Sequence, residues 1–224
     1  MKFRISLKKL TGYLVLPLAF FIITILFLYC IFKPFVGITT SAWDIFSSEI
    51  RSDDTEIYND IFTENALLGY EGTVKASDIT YPTFGSIYGK IEIFTNNTVY
   101  EVPLVYGDEK YTLKKGGGQY MGSHFPGEGT TILVSGHNTS YFNCLKYTKV
   151  GEIIEITTNY GKYKYEIIDI SPKHKTDKTA FDLNAKKETL VLYTCYPFDA
   201  VGYKVERYYV TATLVSGPKI DPYN

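Results

Sequence analysis

Thr189-Leu190-Val191-Leu192-Tyr193-Thr194-Cys195 is the stretch on which the fold turns. It holds β-branched, aliphatic and aromatic residues with no Gly, Pro or formal charge, the pattern of a strand buried within a sheet. The strand ends on a thiol, which makes Cys195 the first candidate nucleophile. Tyr196-Pro197-Phe198-Asp199 follows, and Pro197 has no N–H to continue a ladder. Gly202 gives the chain room to turn back. A second strand is expected from about Lys204 to Val215; as a neighbour of the first it brings Arg207 near the level of Cys195, a fixed cation beside a thiol.

Outward from this pair the chain reads as short strands separated by turn signals. Ser86 to Phe94 and Thr98 to Tyr106 flank Asn96-Asn97, which closes a hairpin. Glu109 to Lys115 reads as a helical turn or two ended by Gly116-Gly117-Gly118. Thr130 to Ser135 is a compact apolar strand between Pro126-Gly127-Glu128-Gly129 and Gly136-His137-Asn138. Glu152–Thr157 and Lys162–Ile170 flank a turn at Tyr160-Gly161. The pattern predicts an all-β barrel or sandwich, which can hold residues distant in sequence on one rim.

The N-terminal part is of another kind. Tyr13 to Phe32 is a run of twenty residues without a charge, about 30 Å long as a helix and enough to span a bilayer core. Lys2, Arg4, Lys8 and Lys9 precede it, and Tyr29-Cys30-Ile31-Phe32-Lys33-Pro34 has no small-x-small cleavage signal. The expected organisation is a basic cytoplasmic segment (1–12), an uncleaved signal anchor (13–32), an extracellular linker or helical stalk (33–80) and a barrel domain (81–224). That orientation follows from the basic flank lying inside. It makes this a single-pass protein of the cell membrane, held there by residues 13–32.

Four of the 23 basic residues precede Lys33, leaving 19 against 24 acidic residues, a net of −5. Such a body lacks the positive field needed to displace counterions from phosphate, so no nucleic-acid partner is expected. Three cysteines do not make a disulfide framework. Cys30 falls in the apolar run, and Cys144 lies in Ser140-Tyr141-Phe142-Asn143-Cys144-Leu145, where a thiol fills space. No CxxC pair or His/Cys cluster has zinc spacing; neither metal nor cofactor is expected.

The base or acid must come from three histidines. His137 stands at a strand end after Gly136, which positions it more rigidly than His124 in a turn or His174 in the polar loop Lys173 to Lys187. With these groups Cys195 would attack a carbonyl to form an acyl-thioester. His137 would protonate the leaving amine and later deprotonate an incoming nucleophile, and Arg207 would hold the oxyanion or the substrate backbone. At ordinary pKa values, roughly one molecule in a hundred at pH 7 carries thiolate and imidazolium together. Either the site shifts those values or it works through a small active fraction.

The order Ser135-Gly136-His137, then Thr189 to Cys195, then Arg207 resembles the sortases, cysteine transpeptidases of Gram-positive bacteria. The family pattern T-L-x-T-C is matched by Leu192-Tyr193-Thr194-Cys195, with Val191 where the first threonine is usual. The resemblance runs over about Tyr81 to Val215 and takes in Gly118-Gln119-Tyr120-Met121-Gly122 and the Pro126 to Gly129 turn. It implies a closed eight-stranded sortase-type β-barrel with short helices, and catalytic Cys195, His137 and Arg207. Thr194 and Ser135 are implied at the substrate, with the loop Lys173 to Lys187 lining the groove. The implied activity is cleavage of an LPxTG-like C-terminal sorting signal between Thr and Gly. The acyl group then passes to an amine of a peptidoglycan precursor.

Cys195-Tyr196-Pro197-Phe198, with an N-terminal anchor and a polar ending at Ser216 to Asn224, resembles class D sortases. Class A or E housekeeping enzymes and the pilin-polymerising class C enzymes are the alternatives within the family. Asp108, Glu109 and Asp177 are available as loop carboxylates for a calcium ion, but no required metal is expected. An L,D-transpeptidase would place its thiol after Ser-His-Gly, unlike Leu192-Tyr193-Thr194. A non-catalytic membrane-anchored binding module would have no use for the convergence of Cys195, His137 and Arg207.

Overall fold

The computed structural model describes residues 13, 15, 17–30, 69, 71–198 and 203–223. The chain divides into one unit up to Ser47 and another from Ser48 onward. In the first, residues 17–30 are helical and their large apolar side chains are exposed. Among the described residues no helix is long and apolar enough to cross a membrane. The expected basic segment 1–12, residues 14, 16, 31 and 32 of the expected span, almost all of the expected stalk as far as residue 70, and Gly202 lie outside the described residues.

The second unit carries ten strands among its described residues: β1 Thr73–Lys75, β2 Ile87–Thr95, β3 Thr98–Tyr106, β4 Gly117–Gln119, β5 Thr131–Gly136, β6 Ile153–Thr158, β7 Lys162–His174, β8 Thr189–Tyr196, β9 Glu206–Ser216 and β10 Lys219–Asp221. Eight of them close a barrel in the order β2-β3-β4-β5-β8-β9-β7-β6, the expected architecture. Short 3-10 helices at Ala76–Asp78, Thr112–Lys114 and Tyr141–Tyr147 complete it. β1 and β10 form a separate parallel ribbon, Val74 opposite Ile220.

Alternation along the strands decides which side chains fill the barrel. Ile91, Ile93, Val102, Leu104, Ile132, Val134, Ile154, Ile156, Tyr163, Tyr165, Leu190, Leu192, Val210 and Ala212 share one buried core. The opposite face of β5, β8 and β9 is also covered. Leu133, Val191 and Tyr209 form a second cluster there with Ala180, Phe181, Leu183 and Tyr193, supplied in part by the loop after β7. This two-sided burial explains the unbroken apolar run of β8 and of β5, which pair in parallel from Thr131 opposite Thr189 to Gly136 opposite Thr194. Parallel strands covered on both faces lose the polar half of the alternation.

The Asn96-Asn97 hairpin is present, both residues having positive φ (49° and 58°), as a tight turn between twisted strands requires. The Gly116 to Gly118 run does more than end the 3-10 turn before it, because it enters the barrel as β4. A Cβ at Gly116 would lie 2.1 Å from the Pro103 carbonyl oxygen, and one at Gly118 2.5 Å from that of Gly107. Close backbone approach, which only glycine permits, is what these residues supply. Read as loop punctuation, a three-residue glycine-rich strand leaves no periodic signal.

Candidate active site

Two strand registers build the site. In the antiparallel β8–β9 pair Cys195 stands directly opposite Arg207, with Tyr193 opposite Tyr209 two residues along. In the parallel β5–β8 pair the last partners are Gly136 and Thr194, so His137 follows the end of β5 beside Cys195, which is still paired in β8. Adjacent strands lie about 4.8 Å apart, which puts thiol, imidazole and guanidinium on three neighbouring strand ends. Leu133, Val191 and Tyr209 lie in the outer cluster, and alternation carries Ser135, Tyr193, Cys195 and Arg207 to that same outer face.

Cys195 is a free, partly exposed thiol. Arg207 is half-buried, and its guanidinium donates to the carbonyl oxygens of Lys204 at 3.0 Å and Glu206 at 2.9 Å. Those bonds fix the plane of the cation on the chain entering β9. His137 is partly buried; burial, and then the charges of Lys110 and Lys114, lower its pKa below 6.5. The neutral imidazole is therefore the favoured resting form.

Aromatic rings pack on the outer face of the sheet two residues from Cys195. The Tyr193 and Tyr209 rings stack with centroids 5.5 Å apart, and Phe181 lies 6.3 Å from Tyr209. Lys173, in register with Arg207 across β9, donates from Nζ to the Thr179 carbonyl at 2.9 Å and ties the covering loop to β7. β7 itself continues to His174, into what the sequence presents as loop.

Ser135 is buried, its hydroxyl 3.5 Å from the Gly118 carbonyl. Thr194 is only 2% exposed and donates its hydroxyl to the Gly136 carbonyl at 2.7 Å. That hydroxyl points to the neighbouring strand and holds two strand ends together. Alternation is the reason: the residue before an outward-facing cysteine faces inward.

The other histidines lie elsewhere. The backbone N–H of His124 bonds Thr131 O at the start of β5, five residues and about 17 Å from the His137 end. His174 is exposed, with Nδ1 2.7 Å from Thr176 Oγ1 in its own turn. Cys144 is buried and donates to the Tyr141 carbonyl at 3.3 Å, and burial pushes its thiol up to about 11. Asp177 accepts from the N–H and hydroxyl of Thr179 at 2.8 and 2.7 Å, which shapes the covering loop.

Sequence reasoning missed Asn138. It is buried behind His137 and donates to the carbonyl oxygens of Pro197 and Phe198 at 3.2 and 3.1 Å. Its position directly after the histidine is the one signal that could have marked it. Glu188 was missed as well. Its buried carboxylate accepts from Gly127 and Gly129 N–H groups and from the Tyr165 hydroxyl at 2.7 Å, joining the Pro126 to Gly129 turn to the start of β8.

A thiol, an imidazole and a fixed guanidinium on adjacent strand ends of an eight-stranded barrel define a cysteine transpeptidase of the sortase kind. Residues 91–215 match the model of the sortase domain, and the chain belongs to the sortase family. It is 35% identical to Sortase D of Bacillus subtilis over 135 residues, 60% of this chain and 67% of that one. The catalytic domain of B. anthracis SrtD superposes with a TM-score of 0.51 at 27% identity, covering 64% of this chain and 99% of that domain. The Clostridium perfringens Sortase D5 transpeptidase gives a TM-score of 0.53 at 24% identity over 60% and 82% of the two chains. Within the family the likeness is to class D.

Proposed function

We propose that this protein is a membrane-anchored class D sortase that joins secreted proteins to the cell wall. The observation that carries the reading is the double register of β8, which sets Cys195 opposite Arg207 and next to the strand end that presents His137. The Cys195 thiolate attacks the Thr carbonyl carbon of an LPxTG-like signal, and Arg207 stabilises the oxyanion as the C–N bond to Gly breaks. His137 gives its proton to the departing amine. An amine of a peptidoglycan precursor then attacks the thioester, returns a proton to His137 and releases the thiolate.

The basic N-terminus and the apolar run from Tyr13 support an N-in anchor at the membrane with the barrel outside. The test uses the full chain in detergent with LPxTG-like peptides and a glycine or diamino-acid acceptor, beside Cys195→Ala. Thiol-dependent cleavage between Thr and Gly with transfer to the amine is expected. A folded wild-type protein with no turnover across the panel would overturn the reading.

A further inference from the structure

We infer that Asn138 is a positioning residue for the His137–Cys195 pair, an inference that rests on the reaction proposed above. β5 and β8 are parallel and their last backbone partners are Gly136 and Thr194. Beyond that point no ladder fixes the distance between the imidazole and the thiol, and two side chains bracket the gap instead. Before it, Thr194 Oγ1 donates to Gly136 O at 2.7 Å. After it, the Asn138 amide directs Nδ2 to Pro197 O at 3.2 Å and to Phe198 O at 3.1 Å.

The match is one of number as well as direction. An amide nitrogen carries two hydrogens, and two carbonyl oxygens of the segment leaving Cys195 receive them. Asn138 is 6% exposed, so water does not compete for either bond. Its own carbonyl accepts from Asn143 Nδ2 at 2.6 Å, and His137 O accepts from the N–H groups of Ser140 and Phe142 at 3.3 and 3.1 Å. The chain after His137 is thereby a closed turn, and Asn138 is its link to the chain after Cys195. The residue touches neither substrate nor reacting atoms; it acts by setting where the imidazole stands. A misplacement of about 1 Å between reacting groups costs on the order of a hundredfold in rate.

Asn138→Asp keeps the shape and replaces the donor with an acceptor facing two carbonyl oxygens, and Asn138→Leu removes the polar group. In both, kcat for signal-peptide cleavage is expected to fall about 100-fold with KM within about twofold. Asn143→Ala, which loosens the same turn from outside, gives a smaller loss of the same kind and serves if the first two do not fold. Thr158→Val removes a buried hydroxyl from the β6–β7 turn as a control for stability and leaves kcat unchanged. The second readout needs no peptide: the pH profile of Cys195 alkylation by iodoacetamide in the full chain, in a Cys30→Ser, Cys144→Ala background. Wild type shows an inflection from His137 that disappears in His137→Ala, and the Asn138 variants are expected to lose it too. Folded Asn138 variants with wild-type kcat and profile, or a loss matched by Thr158→Val, would overturn the inference. A wild type that alkylates normally yet turns over no peptide would count against the proposed reaction alone, and the profile would still decide the role of Asn138.

Discussion

Gly136 and Thr194 face each other as the last partners of the parallel β5–β8 pair, and the Thr194 hydroxyl closes that pair with a 2.7 Å bond to the Gly136 carbonyl. His137 and Cys195 are the next residues on each strand. Thr194→Val leaves the Gly136 carbonyl without that donor at a cost of about 2 kcal/mol. A Tm lower by about 4–8 °C is expected by calorimetry, together with a fall of about tenfold or more in kcat. A variant with the lowered Tm and unchanged kcat would show that the bond supports the fold without aligning the site.

Arg207 is held by two carbonyl oxygens on its own strand entry. Lysine keeps the charge but has no planar fork to make both bonds while facing a substrate. Arg207→Ala should lower kcat/KM by about 10²–10³, the usual cost of removing an oxyanion donor. Arg207→Lys should recover part of that loss. Full recovery would show that charge alone suffices.

The two cysteines of the barrel unit differ in chemistry. With the Cys144 thiol pushed up to about 11 by burial, roughly one molecule in a thousand carries its thiolate at pH 8. In a Cys30→Ser background, mass spectrometry after brief iodoacetamide treatment of the folded protein should find the label on Cys195. Labelling of Cys144 at a comparable rate would contradict the buried position of that thiol.

His137 titrates below 6.5 in the folded protein because burial, helped by Lys110 and Lys114, disfavours the imidazolium. Between that folded value and an unfolded value near 6.5 the unfolded chain binds more protons, so this group's stabilisation is present above about pH 6.5 and is lost as pH falls through the folded pKa. NMR titration of the ring should show the depressed value. Lys110→Gln and Lys114→Gln should move it upward, and no upward movement would leave burial as the sole cause.

Glu188 sits under the start of β8 with three groups donating to its carboxylate. Burial still raises its pKa, because desolvation outweighs the donors. The native state therefore holds its proton to higher pH than the unfolded chain, and this residue's ionisation lowers stability as pH rises through the window above about 4.3. Glu188→Ala strands the Gly127 and Gly129 N–H groups and the Tyr165 hydroxyl, at about 3 kcal/mol, and should lower Tm by about 6–12 °C. An unchanged Tm would show that water takes the place of the carboxylate.

Sequence alone determined the strands whose residues repeat with period two or run apolar without a break, and the residues able to do thiol chemistry. The Asn96-Asn97 turn, the span of β8, and Cys195, His137 and Arg207 are local facts of side-chain type and spacing. Tertiary structure decided which strands meet. The parallel pairing of β5 with β8 joins residues 58 positions apart, and no local pattern encodes that register. β4 escaped notice because glycines pack by backbone approach and carry no side-chain signal. The inward turn of Thr194 and the reach of Asn138 to Pro197 and Phe198 are likewise long-range, since a hydrogen bond depends on where two distant segments come to rest. The sequence supplied the chemical groups, and closure of the barrel set the distances between them.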